Sequence, residues 1–445
     1  MEFKDDLSLW EKKFSHSFIL EYFNSRIPHT RDMDKERVIL HSDLNNFYAS
    51  VEMARHPEFK GKAIVVCGSK DDRHGIVLAK NQLAKSFGIK TGDVYWEAKR
   101  KCPEVIEVTA DFPEYLKYSA MVRRIYERFT DKIEAFGIDE CWLDVTDSQK
   151  LFGNGEEIAD KIRKTVKEEL NLTVSIGVSW NKVFAKLGSD MKKPDAITVI
   201  NRANYKQKVF PLPVEELLYV GKATKEKLNK YNVMTIGDIA NADVEFLKAH
   251  LGKWGEYLSV FARGDECSPV VTRRGEDFVK SIGNSMTCYR DLKNEDEVFT
   301  LILLLAESVA SRLRESGLGQ ASVVHVGITD KNLVRYGKQG KLSFATELST
   351  EIAYKARDLL KEIYDFRTPV RAVGVAVSNF TGATVQASMF SDSKKAVKAQ
   401  ESVDKIRRKY GEGIIKRGTI LKDRRLKNAD VKEKHVIHPE NYFGK

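Results

Sequence analysis

Length, composition and charge set the first limits on this chain. It has 445 residues, of which 42% are hydrophobic and only 10 are prolines, and 74 Lys and Arg against 64 Asp and Glu give a formal charge of +10. This length allows about three domains, and the apolar fraction excludes a disordered or fibrous chain. No stretch of about 18 uncharged apolar residues occurs in the sequence, which excludes a membrane-spanning helix and a membrane partner.

The N-terminus and the cysteines favour a cytoplasmic protein. The opening residues MEFKDDLSLWEKKF carry too many charges for a secretory signal. We interpret residues 1–36 as an N-terminal extension, to which the sequence assigns no function. The cysteines argue against a disulfide framework or a structural zinc site because they are odd in number, scattered and never spaced as CxxC. They are Cys67, Cys102, Cys141, Cys267 and Cys288.

The positive charge is concentrated at the C-terminal end of the chain. Residues 391–445 contain 16 Lys and Arg but only 8 Asp and Glu, whereas the first 390 residues are close to neutral. A basic tail on a nearly neutral body suggests a polyanionic partner. On charge alone, a solvated tail that aids solubility is an equally good interpretation.

The first 205 residues alternate short strands and helices. The β-branched run Arg37–Ser42 predicts a buried strand that ends at Asp43, and Asn45 and Asn46 can cap the helix that follows. Two strands that flank Gly137–Glu140 predict a hairpin with an acidic pair at its tip. The predicted strands cover residues 37–42, 63–67, 76–79, 132–136, 141–145, 173–179 and 198–200, and the predicted helices cover 47–53, 81–87, 96–101, 113–129, 156–169 and 181–191. This alternation indicates an α+β layer architecture.

The remainder of the chain is first helical and then returns to an α/β pattern. Residues 214–262 are predicted to be all-helical, with short loops near Gly221 and Gly237. After a connector, the predicted elements are a strand near Val279, a helix over 296–315, strands over 322–329 and 341–346, a helix over 352–363 and a strand over 370–377. This β–α–β–β–α–β order is typical of a split-βαβ domain.

Three carboxylates stand out by their positions. Asp43 lies at the end of a predicted strand, and the adjacent Asp139 and Glu140 lie at the hairpin tip. A pair of Mg²⁺ ions about 3.5–4 Å apart needs oxygen ligands from different backbone segments. Asp43 and Asp139 are placed to bridge two such ions, and Glu140 to complete the site. On spacing alone, ordinary turn and capping residues are the more frequent explanation of such acids.

Three motifs extend this interpretation. They are DLNNFYASVE at 43–52, GIDE at 137–140 with WLDVT at 142–146, and NKVFAKLGSDMKKP at 181–194. In order and separation they resemble the motifs of the Y-family (translesion) DNA polymerases, and the resemblance runs from about Val38 to Phe390. It implies a bacterial, template-directed DNA polymerase for translesion synthesis with low fidelity and no proofreading. Such an enzyme acts as a monomer on primer-template DNA and dNTP.

The resemblance also implies an α+β right-hand architecture. The palm covers residues 37–52 and 112–205, and the small fingers domain covers 53–111. A helical thumb with a helix–hairpin–helix covers 206–268. A split-βαβ little-finger domain follows over 275–380, and residues 381–445 hold a clamp-binding peptide and the basic tail.

The metal site follows from the same resemblance. Asp43, Asp139 and Glu140 are the implied catalytic ligands of two Mg²⁺ ions, together with the backbone carbonyl of Leu44. Asp144, which lies on the strand after the hairpin tip, is interpreted as a structural residue.

The resemblance places the nucleotide beside these ligands. The backbone N–H groups of Phe47 and Tyr48 face the phosphates from a helix start, where unpaired donors and the helix dipole favour anions. The ring of Tyr48 is the steric gate that leaves no room for a 2′-hydroxyl group. Lys186 contacts the triphosphate, whereas Lys182 has two open interpretations, a further contact of this kind or a simple surface residue.

The chain departs from the family pattern in the fingers. The family usually has a Tyr and an Arg that bind phosphates where this chain has Gln82 and Lys85. Lys85 keeps the charge for nucleotide binding but loses bidentate geometry. Ile76 and Leu78 stand where the family often has small residues that cover the nascent base pair. Two interpretations of these larger side chains are open: they restrict which template bases fit, or they simply repack.

Contacts with DNA and with a sliding clamp are implied further along the chain. A hairpin turn offers backbone amides to a DNA phosphate without reading sequence, although Tyr219 replaces its usual first glycine. The implied DNA-binding residues are Val220, Gly221 and Lys222 in the thumb and Lys280 and Ser281 in the little finger. The implied clamp-binding residues are Gln386, Ala387, Ser388, Met389 and Phe390.

Two other classes of protein stay open at this point. A catalytically inactive accessory protein of the same fold would bind DNA and the clamp only, and it should lack the acidic triad, which is present here. A two-metal nuclease would share the metal chemistry, but it would degrade DNA without any need for dNTP.

Overall fold

The computed structural model describes residues 36–68, 75–271, 279–382 and 393–421. These residues form two compact units, the first of which holds 36–68 and 76–271 and the second 279–382 and 393–421. The N-terminal extension up to residue 35 and the segment Gln386–Phe390 lie outside the described residues. Within the described ranges, no helix combines the length and the apolar character needed to cross a membrane.

The first unit contains the predicted alternation of strands and helices. Its strands are β1 (Ile39–Leu44), β2 (Ile64–Cys67), β3 (Val77–Lys80), β4 (Ile106–Thr109), β5 (Ile133–Ala135), β6 (Glu140–Asp144), β7 (Val174–Ser179) and β8 (Ile197–Val199). Its helices are α1 (Phe47–Arg55), α2 (Gln82–Ser86), α3 (Tyr95–Lys101), α4 (Phe112–Tyr126), α5 (Gln149–Phe152), α6 (Gly155–Leu170), α7 (Lys182–Met191), α8 (Tyr205–Val209), α9 (Lys222–Asn229), α10 (Ile236–Asn241), α11 (Val244–Leu251) and α12 (Lys253–Arg263). The sequence pattern does not predict β4, α5 and α8, which are only four or five residues long.

A five-stranded sheet with the order β5–β6–β1–β7–β8 carries the acidic residues. Strand β1 is buried along its whole length and pairs antiparallel with β6 and β7. The register sets Asp43 opposite Glu140 on one side and opposite Ser175 on the other. Leu40 and Val178 of the sheet pack in one core with Ile158 of α6, so burial of this face holds the register.

Strands β2, β3 and β4 form a separate small sheet with a core of its own. Strand β2 pairs antiparallel with β3 and parallel with β4. The core contains Val65 and Val77 from the sheet and Ala84 and Ala98 from helices α2 and α3. None of the five cysteines, all of which lie in the described ranges, forms a disulfide bond.

Residues 214–262 differ in one detail from the prediction of an all-helical segment. Helices α9 to α12 form its core with Ile236, Leu258 and Phe261. Before Gly221, however, the chain makes a single 3₁₀ turn over Val214–Glu216 instead of a full helix. Tyr219 has a φ of 69°, which a right-handed helix cannot include. The first arm of the predicted helix–hairpin–helix is therefore one turn long, and α9 begins directly after the hairpin.

The second unit has the predicted β–α–β–β–α–β order. Its strands are β9 (Ser281–Leu292), β10 (Ala321–Asp330), β11 (Arg335–Thr346) and β12 (Val370–Phe380), and its first two helices are α13 (Glu295–Ser316) and α14 (Ser349–Lys361). The strands form an antiparallel sheet in the order β11–β10–β12–β9. Strand β11 starts six residues before its predicted start because exposed polar residues alternate along it and hide the strand pattern.

The basic tail continues as helices that dock on the second unit. Helix α15 covers Ser393–Tyr410 and the short helix α16 covers Gly418–Leu421. Asp404 of α15 accepts hydrogen bonds from Arg314 of α13 at 2.6 and 3.1 Å. Glu307 of α13 pairs with both Arg407 and Arg417 of the tail, at 3.0 and 2.6 Å. With Ile420 of α16 fully buried in the core, this part of the tail is a packed element, so the interpretation as a purely solvated tail is wrong here.

Replacement of Glu307 by Ala should release the tail helices from the second unit. Arg407 would keep a nearly buried guanidinium group without its carboxylate partner, and the loss of one partner of a buried ion pair costs about 3 kcal/mol. Hydrogen exchange of the amides in residues 393–421 should therefore accelerate about 100-fold. Glu401→Ala, an exposed glutamate on the same tail helix, is the matched control and should leave exchange unchanged. Equal protection in both variants would show that Glu307 does not hold the tail.

Candidate active site

The three predicted acidic residues meet at one edge of the sheet in the first unit. Asp43 is the next-to-last residue of β1, and Glu140 is the first residue of the paired strand β6. Asp139 lies just before β6 in the loop of the β5–β6 hairpin, and its carbonyl accepts a 3.0 Å hydrogen bond from the Leu44 N–H. The predicted hairpin with an acidic tip is therefore confirmed, and Leu44 lies beside the three carboxylates.

Two lysines contact these carboxylates. The ammonium group of Lys186 lies 2.9 Å from Glu140 Oε2 and 3.8 Å from Asp43 Oδ2. The ammonium group of Lys193 lies 2.9 Å from the same oxygen of Asp43. Both lysines also pair with Asp190, at 3.3 and 2.9 Å. Sequence reasoning found Lys186 but missed Lys193, although the third motif contains both.

The pKa values show that burial disfavours the charged form of Asp43 and of Asp139. Burial raises the pKa of Asp43 to about 7, with Lys193 opposing this effect and the charge of Glu140 adding to it. Burial and the nearby Glu140 carboxylate raise the pKa of Asp139 to about 6. Burial opposes the charged form of Glu140, but the nearby His41 and Lys186 outweigh this effect and lower its pKa. Two of the three carboxylates therefore need additional positive charge in order to be stable as anions.

This set of groups fits a divalent cation. Carboxylate and carbonyl oxygens are the ligands that hard divalent ions prefer, and a bound cation would supply the charge that Asp43 and Asp139 need. Among the described residues, no group of three or more His, Cys, Asp or Glu side chains is arranged to hold a metal ion without rearrangement, and Lys186 contacts both Asp43 and Glu140. The ammonium groups would have to leave the carboxylates when a metal ion binds.

A buried histidine supports Glu140 from inside the sheet. His41 lies two residues before Asp43 on β1, so the two side chains share one face of the sheet. Its Nε2 lies 3.5 Å from Glu140 Oε2 and its Nδ1 lies 2.8 Å from Ser189 Oγ. Burial lowers the pKa of His41 to about 4. Sequence reasoning missed this residue, although the period of two along a strand ending at Asp43 was a usable signal.

Helix α1 begins directly after the strand that carries Asp43. Its first residues are Phe47 and Tyr48, and the residue before them, Asn46, makes no side-chain cap. The first amides of α1 are therefore not capped by that side chain and are suited to an anion. The Tyr48 ring stacks on Tyr115, with the ring centroids 4.4 Å apart, and Phe112 packs edge-on against Tyr48 at 5.7 Å. These contacts hold the Tyr48 ring in one orientation.

The third motif contains one residue whose surface interpretation is wrong. Lys182 is buried and its ammonium group lies 2.8 Å from both carboxylate oxygens of Glu134. The ammonium group also lies 4.7 Å from the centre of the Trp142 ring. Lys182 is thus a partner of Glu134 inside the fold. Asp144 accepts hydrogen bonds from the backbone N–H and the hydroxyl of Thr146, which supports its structural interpretation.

The other predicted site residues lie on separate parts of the structure. Gln82 and Lys85 are on the exposed side of helix α2 in the fingers. Burial, together with the charge of Lys85, lowers the pKa of Lys80, so the fingers carry two close ammonium groups. The hairpin residues Val220, Gly221 and Lys222 lie at the start of α9, and Lys280 and Ser281 lie at the start of β9 in the second unit.

Comparisons with known proteins identify relatives of this chain. The impB/mucB/samB family model matches residues 42–190, and the model of that family's C-terminal domain matches residues 279–389. The chain is 50% identical to DNA polymerase IV of Acetivibrio thermocellus over 88% of this chain and 99% of that protein. It is 36% identical to DNA polymerase IV of Clostridium kluyveri over 87% of this chain and 98% of that protein.

Solved structures show the same likeness. A Y-family DNA polymerase chimera of Dbh and Dpo4 matches with a TM-score of 0.68 and 27% identity, over 78% of this chain and 99% of that one. An insertion ternary complex of Dbh DNA polymerase matches with a TM-score of 0.55 and 27% identity, over 77% of this chain and 99% of that one. These likenesses confirm the predicted α+β class with a separate C-terminal sheet domain.

Without divalent ions, Asp139→Asn should stabilise the first unit at pH 8. A folded-state pKa raised to about 6 means that the wild type loses stability as the pH rises from about 4 through 6, and the neutral amide avoids this loss. The gain should be about 1–2 kcal/mol at pH 8 and vanish near pH 4. Added Mg²⁺ should stabilise the wild type more than the variant.

Thermal unfolding followed by tryptophan fluorescence measures this effect. The four described tryptophans, Trp96, Trp142, Trp180 and Trp254, all belong to the first unit. The control is Asp265→Asn, an exposed aspartate two residues after the end of helix α12, which should not change the unfolding temperature at either pH. A variant that is less stable than the wild type at pH 8 would contradict the raised pKa.

Proposed function

This chain belongs to the impB/mucB/samB family as a DNA-directed DNA polymerase of the polymerase IV branch of the Y family, and we propose that it copies damaged templates by a two-Mg²⁺ mechanism. In this proposal it adds a deoxynucleotide to a primer 3′-OH with low fidelity and without proofreading, and it acts as a monomer. The observation that carries the proposal is the meeting of Asp43, Asp139 and Glu140 with two lysines at one sheet edge.

The acidic residues and the lysines have complementary tasks in this reaction. Asp43, Asp139, Glu140 and the Leu44 carbonyl would hold the metal ions. Bound Mg²⁺ supplies a lowered pKa for the primer hydroxyl and neutralises charge on the phosphates. His41 keeps the Glu140 carboxylate oriented, since its Nε2 lies 3.5 Å from that carboxylate.

The triphosphate would be bound from two sides. The uncapped first turn of α1 offers the backbone N–H groups of Phe47 and Tyr48. The ammonium groups of Lys186 and Lys193 lie beside the carboxylates, and a lysine side chain has enough rotatable bonds to turn from a carboxylate to a phosphate. We assign Lys193 to the triphosphate together with Lys186, and Lys85 of the fingers to the same anion.

The DNA contacts proposed for the thumb and the little finger are directed at phosphates. Val220, Gly221 and Lys222 place a hairpin and the start of a helix against the backbone of the duplex. Lys280 and Ser281 begin an edge strand that would follow a neighbouring phosphate. Contacts of this kind weaken as salt rises and read no sequence. The clamp contact proposed for Gln386, Ala387, Ser388, Met389 and Phe390 involves residues outside the described ranges.

Primer extension tests the proposed reaction. Asp139→Ala should reduce extension of a primed template about a thousandfold, since a metal ion contributes several kcal/mol to stabilisation of the transition state. Asp265→Ala is the control and should retain activity. Labelled DNA that is degraded without dNTP would support the nuclease alternative. Binding of primer-template by the wild type without any extension would support the accessory-protein alternative.

Tyr48→Ala should relax the choice of sugar. The ring held by Tyr115 and Phe112 would overlap a 2′-hydroxyl group, and relief of a steric overlap is worth about 1–3 kcal/mol. Discrimination between a dNTP and the matching ribonucleotide, measured as the ratio of their kcat/KM values, should fall about 10- to 100-fold. Tyr410→Ala, which removes an exposed tyrosine on the tail, should keep the wild-type ratio. Unchanged discrimination in Tyr48→Ala would exclude this ring as the gate.

A further inference from the structure

The loop that carries Lys193 crosses the end of strand β1. Residues 192–196 join α7 to β8, and they contact the end of β1 and the residue that follows it. Lys193 pairs with Asp43 at 2.9 Å. Two residues further along both segments, the backbone N–H of Asp195 donates a 2.8 Å hydrogen bond to the side-chain oxygen of Asn45. The loop and the strand end are thus joined at two matching points.

Asn45 is held firmly on its own side of this contact. It is only 4% exposed, and its backbone N–H donates to the Thr173 carbonyl at 2.9 Å. Its side-chain NH₂ group donates to Ser175 Oγ at 2.9 Å, and its backbone carbonyl accepts from the Ser50 hydroxyl at 2.6 Å. An amide suits this position because it accepts from one neighbour and donates to another at the same time.

The other side of the loop is tied to helix α6. The Asp195 carboxylate pairs with Arg163 at 2.7 Å and with Lys167 at 2.7 Å. Asp195 has a φ of 54°, an uncommon conformation for a residue with a side chain, which persists only where the surroundings hold it. The backbone on the C-terminal side of Lys193 is therefore braced from two directions.

We propose that Asn45 is a positioning residue that holds the loop of residues 192–196 so that Lys193 is directed at the incoming triphosphate. The proposal rests on the nucleotide-binding role assigned above to Lys193. A lysine side chain has many rotamers, so a fixed backbone close to it restricts where the ammonium group can reach. Without the side-chain carbonyl of Asn45, the backbone N–H of Asp195 loses its hydrogen-bond partner. The base of the Lys193 side chain is then free to shift.

A double-mutant cycle on the full-length enzyme tests this inference. KM for dNTP and kcat are measured for Asn45→Ala, Lys193→Ala and the double variant. Asn45→Ala should raise KM about 5- to 10-fold with kcat within about twofold, because a hydrogen bond from a charged group to the triphosphate weakens. In the Lys193→Ala background the same substitution should change KM less than about twofold, since Asn45 acts through this lysine.

Two further variants separate positioning from general stability. Asn45→Asp keeps an acceptor for the Asp195 N–H, and the Ser175 hydroxyl can donate to its second oxygen, so KM should return to within about twofold of wild type. Asn204→Ala is the matched control, because Asn204 also braces a loop by bonds to Asn201 and Val199. It should leave KM unchanged.

The possible failures are distinguishable. If the proposed polymerase function is wrong, the wild-type protein will not extend a primer. A wild-type KM in Lys193→Ala overturns the role of that lysine, and the positioning proposal with it. If the effects of Asn45→Ala and Lys193→Ala on KM multiply independently in the double variant, only the positioning proposal is overturned. So does an Asn45→Ala enzyme that loses only thermal stability or kcat, because a purely structural hydrogen bond would give that result.

Discussion

The pairing of β1 with β6 is the constraint on which the candidate active site depends. The register of these strands sets Asp43 opposite Glu140 at a buried strand end, and Asp139 lies just before β6 in the loop of the β5–β6 hairpin. Acidic groups so close together and so poorly solvated repel one another. Nearby side chains reduce this repulsion. Lys186 and Lys193 pair with the acids directly, and His41 faces Glu140 from within the sheet.

The acidic site was predictable because its signals are local. Asp43 follows a β-branched run, Asp139 and Glu140 lie between two short strand patterns, and strands that pair bring their ends together. Lys193 has no such signal, since it lies two residues beyond the end of α7. Its contact with Asp43 depends on how the next residues turn back, and that turn is held by Asn45, which is 150 positions from Asp195 along the chain. Burial of Lys182 depends in the same way on Glu134, a residue of another segment.

The basic tail shows the limit of arguments from net charge. Composition describes residues 391–445 as strongly basic, and a basic segment ordinarily stays in solvent or meets a polyanion. Arg407 and Arg417 are nevertheless used inside the second unit, where both pair with Glu307. A count of charges cannot distinguish an arginine that meets solvent from one that meets a carboxylate of its own chain. The same limit applies at the candidate active site, where Lys186 and Lys193 pair with the clustered carboxylates.

Lysines beside the carboxylates suit a site in which the ammonium groups and the carboxylates change partners when substrate binds. In the free protein the two ammonium groups offset the acids, which limits the energetic cost of burying three carboxylates together. On the proposed function, the carboxylates would hold metal ions and the ammonium groups would be available to the phosphates of the substrate. The ammonium groups would thus offset part of the acidic charge in the free protein and part of the phosphate charge in the complex, without a change in the strands that hold the acids. An arginine at position 186 or 193 would form a bidentate pair with a carboxylate, and such a pair would compete with the metal ion. A compact ammonium group on a long, rotatable stem can turn from a carboxylate to a phosphate, so on the proposed function the acids can share their site with lysines and still be available to metal ions.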